Sequence, residues 1–208
     1  MLGIRPLMRA ACAFVILLFA VSCVSPDTTH HVVISIPEQK LAVLEKGEPI
    51  ATYPISTSRF GIGDYRGSWG TPLGKLEVAS KVGDAAPLGA VFKDRRFTGE
   101  IIPPDAPGRD PIVTRILWLR GQEPQNQNAY ARYIYIHGTP EERNIGLPVS
   151  YGCVRMRSRD IVQLYDTVGL GAQVTIVNTT LHAVVPKILP PGGRVALLKE
   201  PFAGAVAR

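Results

Sequence analysis

The chain has 208 residues, 46% of them hydrophobic, which is enough to bury one sizeable core and sets one domain as the expectation. Its net charge of +6 falls by two once Arg5 and Arg9 are set aside with the N-terminal segment. The mild excess that remains suits a polyanionic envelope surface, and without a Lys/Arg run interleaved with aromatics it excludes nucleic-acid binding.

Residues 1–23 read as an export signal. Arg5 and Arg9 give a positive start, and Ala10 to Val21 is an unbroken apolar run of twelve, too short to span a bilayer comfortably. The run ends in Ala20-Val21-Ser22-Cys23, a small residue directly before a cysteine. That resembles the bacterial lipoprotein cleavage box, with Cys23 as the lipidated N-terminus. Ordinary cleavage nearby and an uncleaved anchor are the alternatives, and all three carry the domain out of the cytoplasm. Residues 24–30 form a short tether, polar from Ser25 to Thr29.

The domain proper is expected over 31–178. Val32 to Ile36 and Lys40 to Leu44 are rich in branched residues and read as strands. Glu45-Lys46-Gly47-Glu48 supplies a turn into Ile50 to Ile55, which predicts a hairpin. Lys75 to Ser80 alternates polar and apolar as a half-buried strand does. Further strands are expected at Ile112 to Leu119, Tyr133 to His137 and Gln173 to Val177, so the domain is mostly β.

One helix is expected after residue 157. Ser158 is placed to cap it, Asp160 sits in the first turn, and Ile161, Leu164, Tyr165 and Val168 make the apolar stripe, with Gly169 as the stop. The stripe is expected to pack under the loop that carries Cys153. Gly83 to Pro111 holds Pro87, Pro103, Pro104, Pro107 and Pro111, which break any strand or helix pattern. It reads either as a lid or binding loop, or as a plain surface insertion. The tail, 179–208, with Pro186, Pro190, Pro191 and Gly192-Gly193, packs as an extended segment or stays disordered.

The chemistry concentrates between Tyr133 and Met156. Of three cysteines, Cys12 falls in the signal and Cys23 at the lipidation site, so Cys153 is left as the single free thiol. An unpaired thiol outside the cytoplasm is a liability unless it is used; the competing reading is a buried, inert cysteine. His137 lies at the end of a strand-like run. It could be structural, or it could take the proton of the thiol during attack. Backbone N–H groups around Gly152 and Cys153 are the natural donors to an oxyanion, because a glycine lets the backbone approach substrate closely. Ser150 either bonds its own loop or steadies the imidazole. A backbone carbonyl is a candidate to orient His137, and no Asp or Asn stands out for that task. A regular strand is expected to turn Arg155 away from the thiol.

Other motifs fail. Gly61 to Gly67 misses the dinucleotide fingerprint, and Gly70 to Lys75 misses the nucleotide P-loop spacing. With no His-Glu-x-x-His and no paired cysteines, no metal site is expected.

His137-Gly138-Thr139, followed by Ser150-x-Gly152-Cys153-x-Arg155-Met156, resembles the active-site signature of the L,D-transpeptidases, bacterial cysteine enzymes that cross-link peptidoglycan. Gln39 to Val43, Pro54 to Thr57 and Trp69 to Gly74 resemble the amino-terminal half of that catalytic domain, so the likeness runs from about His31 to Val177. Tyr151 stands where members often carry His. The resemblance implies a β-sandwich or barrel-like domain with one short helix after the catalytic cysteine. It also implies Cys153 as nucleophile, His137 as proton donor and acceptor, and supporting or substrate-binding places for Ser150, Arg155, Gly138 and Tyr151. Arg155 then helps position the donor peptide.

By the same resemblance, Cys153 forms a thioester with a tetrapeptide stem and releases D-Ala. An amine of a second stem then takes the acyl group, giving a 3→3 cross-link. No cofactor is needed. Partners are peptidoglycan stem peptides and the membrane, through the N-terminal lipid or signal, with an envelope lipoprotein as another acceptor; the location is the periplasm. The alternatives are an L,D-carboxypeptidase or endopeptidase that uses water, attachment of an envelope lipoprotein, and a non-catalytic wall-binding lipoprotein. Retention of both His137 and Cys153 counts against the last.

Overall fold

A computed structural model describes residues 25–185 and Lys187. The expected export signal 1–23 with the expected lipidation site Cys23, and the tail apart from 179–185 and Lys187, lie outside the described residues. Strand β1 (His30–Ser35), β2 (Lys40–Glu45) and β3 (Glu48–Pro54) form an antiparallel meander. The two residues between β2 and β3, Lys46 and Gly47, both take positive φ (51° and 85°). That is the backbone twist that two-residue hairpins require, and it is the hairpin expected from the sequence.

The remaining strands are β4 (Gly74–Val82), β5 (Ala90–Lys93), β6 (Arg96–Ile101), β7 (Ile112–Gly121), β8 (Tyr135–Gly138), β9 (Val154–Met156) and β10 (Gln173–Val177). Helix α1 spans Ser158–Thr167 and a short α2 spans Leu181–Val184. All ten strands belong to one mixed sheet, ordered β3-β2-β1-β10-β4-β7-β5-β6, with β8 pairing β7 and β9 pairing β8. The β1–β10 and β8–β9 pairs are parallel.

The path β3-β2-β1-β10-β4-β7-β8-β9 returns to its start. Arg155 of β9 exchanges both backbone hydrogen bonds with Ser56, just past β3, at 3.0 and 2.8 Å. Closure of this kind satisfies backbone groups that an open edge would leave unpaired, and it brings the 56–71 segment against the start of β9. One apolar cluster joins Val32 and Ile34 of β1, Leu41 of β2, Leu117 of β7, Ile136 of β8, Val154 of β9, and Ile161 and Leu164 of α1. Several of these are fully buried, and truncating one such Leu or Ile to Ala costs about 2–5 kcal/mol.

Three sequence expectations are corrected. The proline-broken segment 83–111 contains the β5–β6 hairpin, because its prolines fall outside both strands: Pro87 precedes β5, and Pro103 follows β6. β5 pairs with β7 through Val91 and Phe92, while every residue of β6 is exposed. Ser158 is not the cap of α1. Arg157 is the N-cap residue, and Glu142 Oε1 accepts the Ser158 N–H at 2.8 Å from a different part of the chain. The helix ends at Val168, whose backbone turns extended, and Gly169 does not supply the stop.

The apolar stripe of α1 packs on β7 and β8, beneath the strand that carries His137. At the chain ends, Asp27 of the tether docks on the 169–171 turn, accepting the Gly169 N–H at 2.7 Å. In the tail, Leu181 and Val185 are buried against Val33, Ala42 and Leu44, so the described part of the tail packs as a short helix rather than as an extended segment.

Candidate active site

Strands β8 and β9 run in parallel with Ile136 opposite Val154, His137 opposite Arg155 and Gly138 opposite Met156. Side chains alternate along strands. Ile136, Val154 and Met156 therefore enter the main core, while Tyr135, His137, Arg155 and Cys153 share the other face. The expectation that Arg155 turns away from the thiol is wrong on the period alone, since residues two apart face the same way. Cys153 lies one residue before β9 and packs against the cluster formed by Ala90, Phe92, Ile116 and Tyr135.

The imidazole is 5% exposed, and its Nδ1 lies 2.8 Å from the Gly138 carbonyl oxygen. A carbonyl only accepts, so Nδ1 carries the proton and Nε2 keeps its lone pair. The orienting group is thus the backbone carbonyl of the next residue. Gly138 serves a second purpose here: a Cβ on it would lie 2.6 Å from the Val113 carbonyl oxygen and 3.2 Å from Ile161, so only glycine lets β8 pass this close to the bulge in β7. Burial depresses the His137 pKa to about 4; the bond to Gly138 acts the other way, and the Arg155 charge adds to the lowering.

The thiol is partly exposed and free. It sits 3.3 Å from the Tyr133 carbonyl oxygen, to which it donates, and 3.4 Å from the Tyr135 N–H. No hydrogen bond joins it to His137 among the described residues. Burial raises its pKa, opposed by the Tyr135 N–H and by the charges of Arg155 and Arg132. Both groups are therefore neutral at pH 7, so the resting state is not an ion pair.

The loop before the thiol is held by the segment after β3. Gly152 takes φ of 119°, a conformation that L side chains rarely adopt. Its carbonyl accepts from Thr71 Oγ1 at 3.0 Å, and Thr71 Oγ1 in turn accepts the Ser58 N–H. Ser150 Oγ donates to the Cys153 carbonyl at 2.6 Å and accepts a long 3.3 Å bond from the Gly152 N–H. Ser150 thus braces the loop rather than the imidazole. The Cys153 N–H has no acceptor among the described residues. It and the loosely held Gly152 N–H are the groups available to an oxyanion.

Sequence reasoning missed the cation beneath this loop. Arg132 donates to the carbonyls of Gly63, Ser68 and Gly70 at 2.7–2.9 Å and to Asp64 Oδ1 at 2.7 Å. The side chains of Arg132 and Asp64 are only 9% and 2% exposed. Residues 63–70 and 132 lie far apart in the chain, and no local pattern marks the pair. Arg155 is also held from within: its Nη1 pairs with Asp110 at 2.7 Å and with Glu141 at 3.7 Å. Asp110 comes from the 83–111 segment, which therefore reaches the site. Tyr151 is 53% exposed and packs with Phe60 and Trp69 at ring separations of 5.7 and 5.6 Å. Among the described residues no group of three or more His, Cys, Asp or Glu side chains is placed to hold a metal ion, and no helix is long and apolar enough to cross a membrane.

Residues 29–176 match the family profile described as YkuD, the L,D-transpeptidase catalytic domain. The chain is similar to the probable L,D-transpeptidase YbiS of Escherichia coli, with 29% identity over 88% of this chain and 55% of that protein. It is also similar to the probable L,D-transpeptidase YcfS of the same organism, with 29% identity over 85% and 52%. The chain thus spans about half the length of these curated relatives. Among solved structures, an L,D-transpeptidase from Mycobacterium smegmatis aligns at 20% identity over 72% of this chain and 58% of that one, with a TM-score of 0.44.

Proposed function

The chain belongs to the L,D-transpeptidase catalytic-domain family, and from that premise we propose that it is an exported peptidoglycan L,D-transpeptidase with Cys153 as nucleophile and His137 as proton carrier. The observation that carries the assignment is the fixed tautomer. Gly138 holds the Nδ1 proton, so the bare Nε2 of a neutral imidazole is left to serve a neutral thiol on the same face of the sheet.

In this reading the donor is a tetrapeptide stem. Nε2 takes the thiol proton as sulfur bonds to the carbonyl carbon of the third residue, and the oxyanion meets the N–H groups of Cys153 and Gly152. The imidazolium then gives that proton to the nitrogen of the departing D-Ala, the C–N bond breaks, and a thioester remains. An amine of a second stem attacks the thioester and loses its proton to Nε2. The C–S bond breaks, and Cys153 recovers its proton as the 3→3 cross-link forms. The stem peptide is the proposed partner, in the periplasm, with the N-terminal segment through Cys23 as the proposed membrane attachment.

Product analysis tests the assignment. The purified chain is mixed with a tetrapeptide stem, with and without a second stem carrying a free amine. Cross-linked dimer plus free D-Ala supports transpeptidation. Tripeptide alone, even with excess acceptor, replaces it with L,D-carboxypeptidase activity. No D-Ala release at all leaves the wall-binding reading.

A further inference from the structure

Beside the thiol lies a cavity of about 250 Å³ whose lining includes Phe92, Arg95, Ile116, Tyr133 and Tyr135. Ile116 is in register with His137. The backbones of Tyr133 and Tyr135 are the groups that bond the Cys153 sulfur. The cavity and the thiol therefore share a wall.

Arg95 sits in the two-residue turn between β5 and β6, where Asp94 and Arg95 both take positive φ (49° and 64°). A turn arginine ordinarily extends into water. This one folds back: its guanidinium lies 4.9 Å from the Trp118 ring centre and 5.3 Å from that of Tyr133, and its Nη1 donates to the Tyr135 hydroxyl at 3.3 Å. Trp118 is itself fixed, stacked on Tyr130 at 4.0 Å. Stacking of this kind holds a guanidinium in place and leaves its in-plane N–H groups for a planar acceptor.

The other two cations near the thiol are already used. Arg132 is paired with Asp64 and Arg155 with Asp110, whereas no ion pair to Arg95 occurs among the described residues. We propose that Arg95 is the binding residue for a substrate carboxylate, namely the free C-terminal carboxylate of the residue that leaves when Cys153 is acylated. This deepens the functional reading above and rests on it.

Tyr135 links the two groups, with its N–H on the sulfur and its hydroxyl on Arg95. Asp94 lines the same cavity, and its charge opposes an anion there.

The test compares two donors, a tetrapeptide stem with a free C-terminal carboxylate and the same stem as its C-terminal amide. Release of the fourth residue is followed as kcat/KM. The wild type should prefer the carboxylate by roughly ten- to a hundredfold, the range of a charge-assisted hydrogen bond. In Arg95→Ala the preference should fall to about unity through loss on the carboxylate donor alone. Arg95→Lys should recover part of it, and Asp94→Asn should raise it. The rate of Cys153 alkylation by a neutral reagent should stay the same in all variants, which reports an intact site. Equal use of both donors by the wild type, or an unchanged preference in Arg95→Ala, overturns the subsite while leaving the transpeptidase reading in place. Turnover of neither donor by the wild type overturns that reading and the subsite with it.

Discussion

His137 and Arg155 stand opposite one another on adjoining parallel strands, and the arginine is paired with Asp110 at 2.7 Å. A buried cation directly beside a general base would hold that base unprotonated but weak. The carboxylate offsets the charge, so burial rather than Arg155 is the main reason the His137 pKa lies near 4.

The first consequence is a pH profile. If neutral His137 accepts the proton of a neutral thiol, kcat/KM for acylation should be level from about pH 5 to neutrality and fall to half near pH 4, where the imidazole protonates. An ion-pair mechanism would instead place an acid limb at the thiolate pKa and an alkaline limb where the imidazolium loses its proton. Asp110→Asn should move the acid limb to lower pH, because the Arg155 charge then acts on His137 without its counter-charge. A limb that stays in place would show that Asp110 does not shield the imidazole.

Stability should follow the same group with a definite sign. The folded-state pKa of His137 is depressed from 6.5 to about 4, so the unfolded chain binds more protons between those values. The contribution is fully present above pH 6.5 and is lost as pH falls toward 4. Between pH 7 and pH 5 the loss is about 2 kcal/mol. Urea unfolding at the two pH values measures it, and His137→Gln should show a difference smaller by that amount.

Arg132 offers a stability prediction of a different kind. Removing one member of a buried ion pair leaves the other charge uncompensated, at a cost of about 3–5 kcal/mol. Arg132→Met should be destabilised on that scale, and the double variant Arg132→Met with Asp64→Leu should be less so. Because Arg132 also ties down Gly70, whose carbonyl faces Gly152, and because its charge lowers the Cys153 pKa, the thiol should alkylate more slowly at neutral pH. A stable Arg132→Met chain with an unchanged alkylation rate would remove Arg132 from the support of the catalytic loop.

The sequence made legible those features that are local. Lys46-Gly47 reads as a turn because its glycine is the usual answer to positive φ. Asp94-Arg95 does the same task in the β5–β6 hairpin without a glycine, so nothing in the sequence separates that hairpin from the prolines around it. The α1 stripe is visible in its period, but its cap is Glu142, sixteen residues away, and a cap supplied from another loop leaves no mark near the helix. At the site, the Cys153 loop and His137 stand in recognisable motifs. Three of the groups that hold them do not: Arg132, Asp64 and Asp110 join the site only through the closure of the sheet and the loops it brings together.

The most direct test of the central claim is the intact mass of the protein, with residues 1–23 removed, after rapid mixing with a tetrapeptide stem. The proposed chemistry predicts a transient adduct on Cys153 equal to the stem less its departing residue and one added water, together with one equivalent of free D-Ala. Adding an amine acceptor should discharge the adduct into cross-linked product, and Cys153→Ala, folded as judged by its circular dichroism, should form none. Turnover by Cys153→Ala, or an acyl group found on any other residue, would contradict the account.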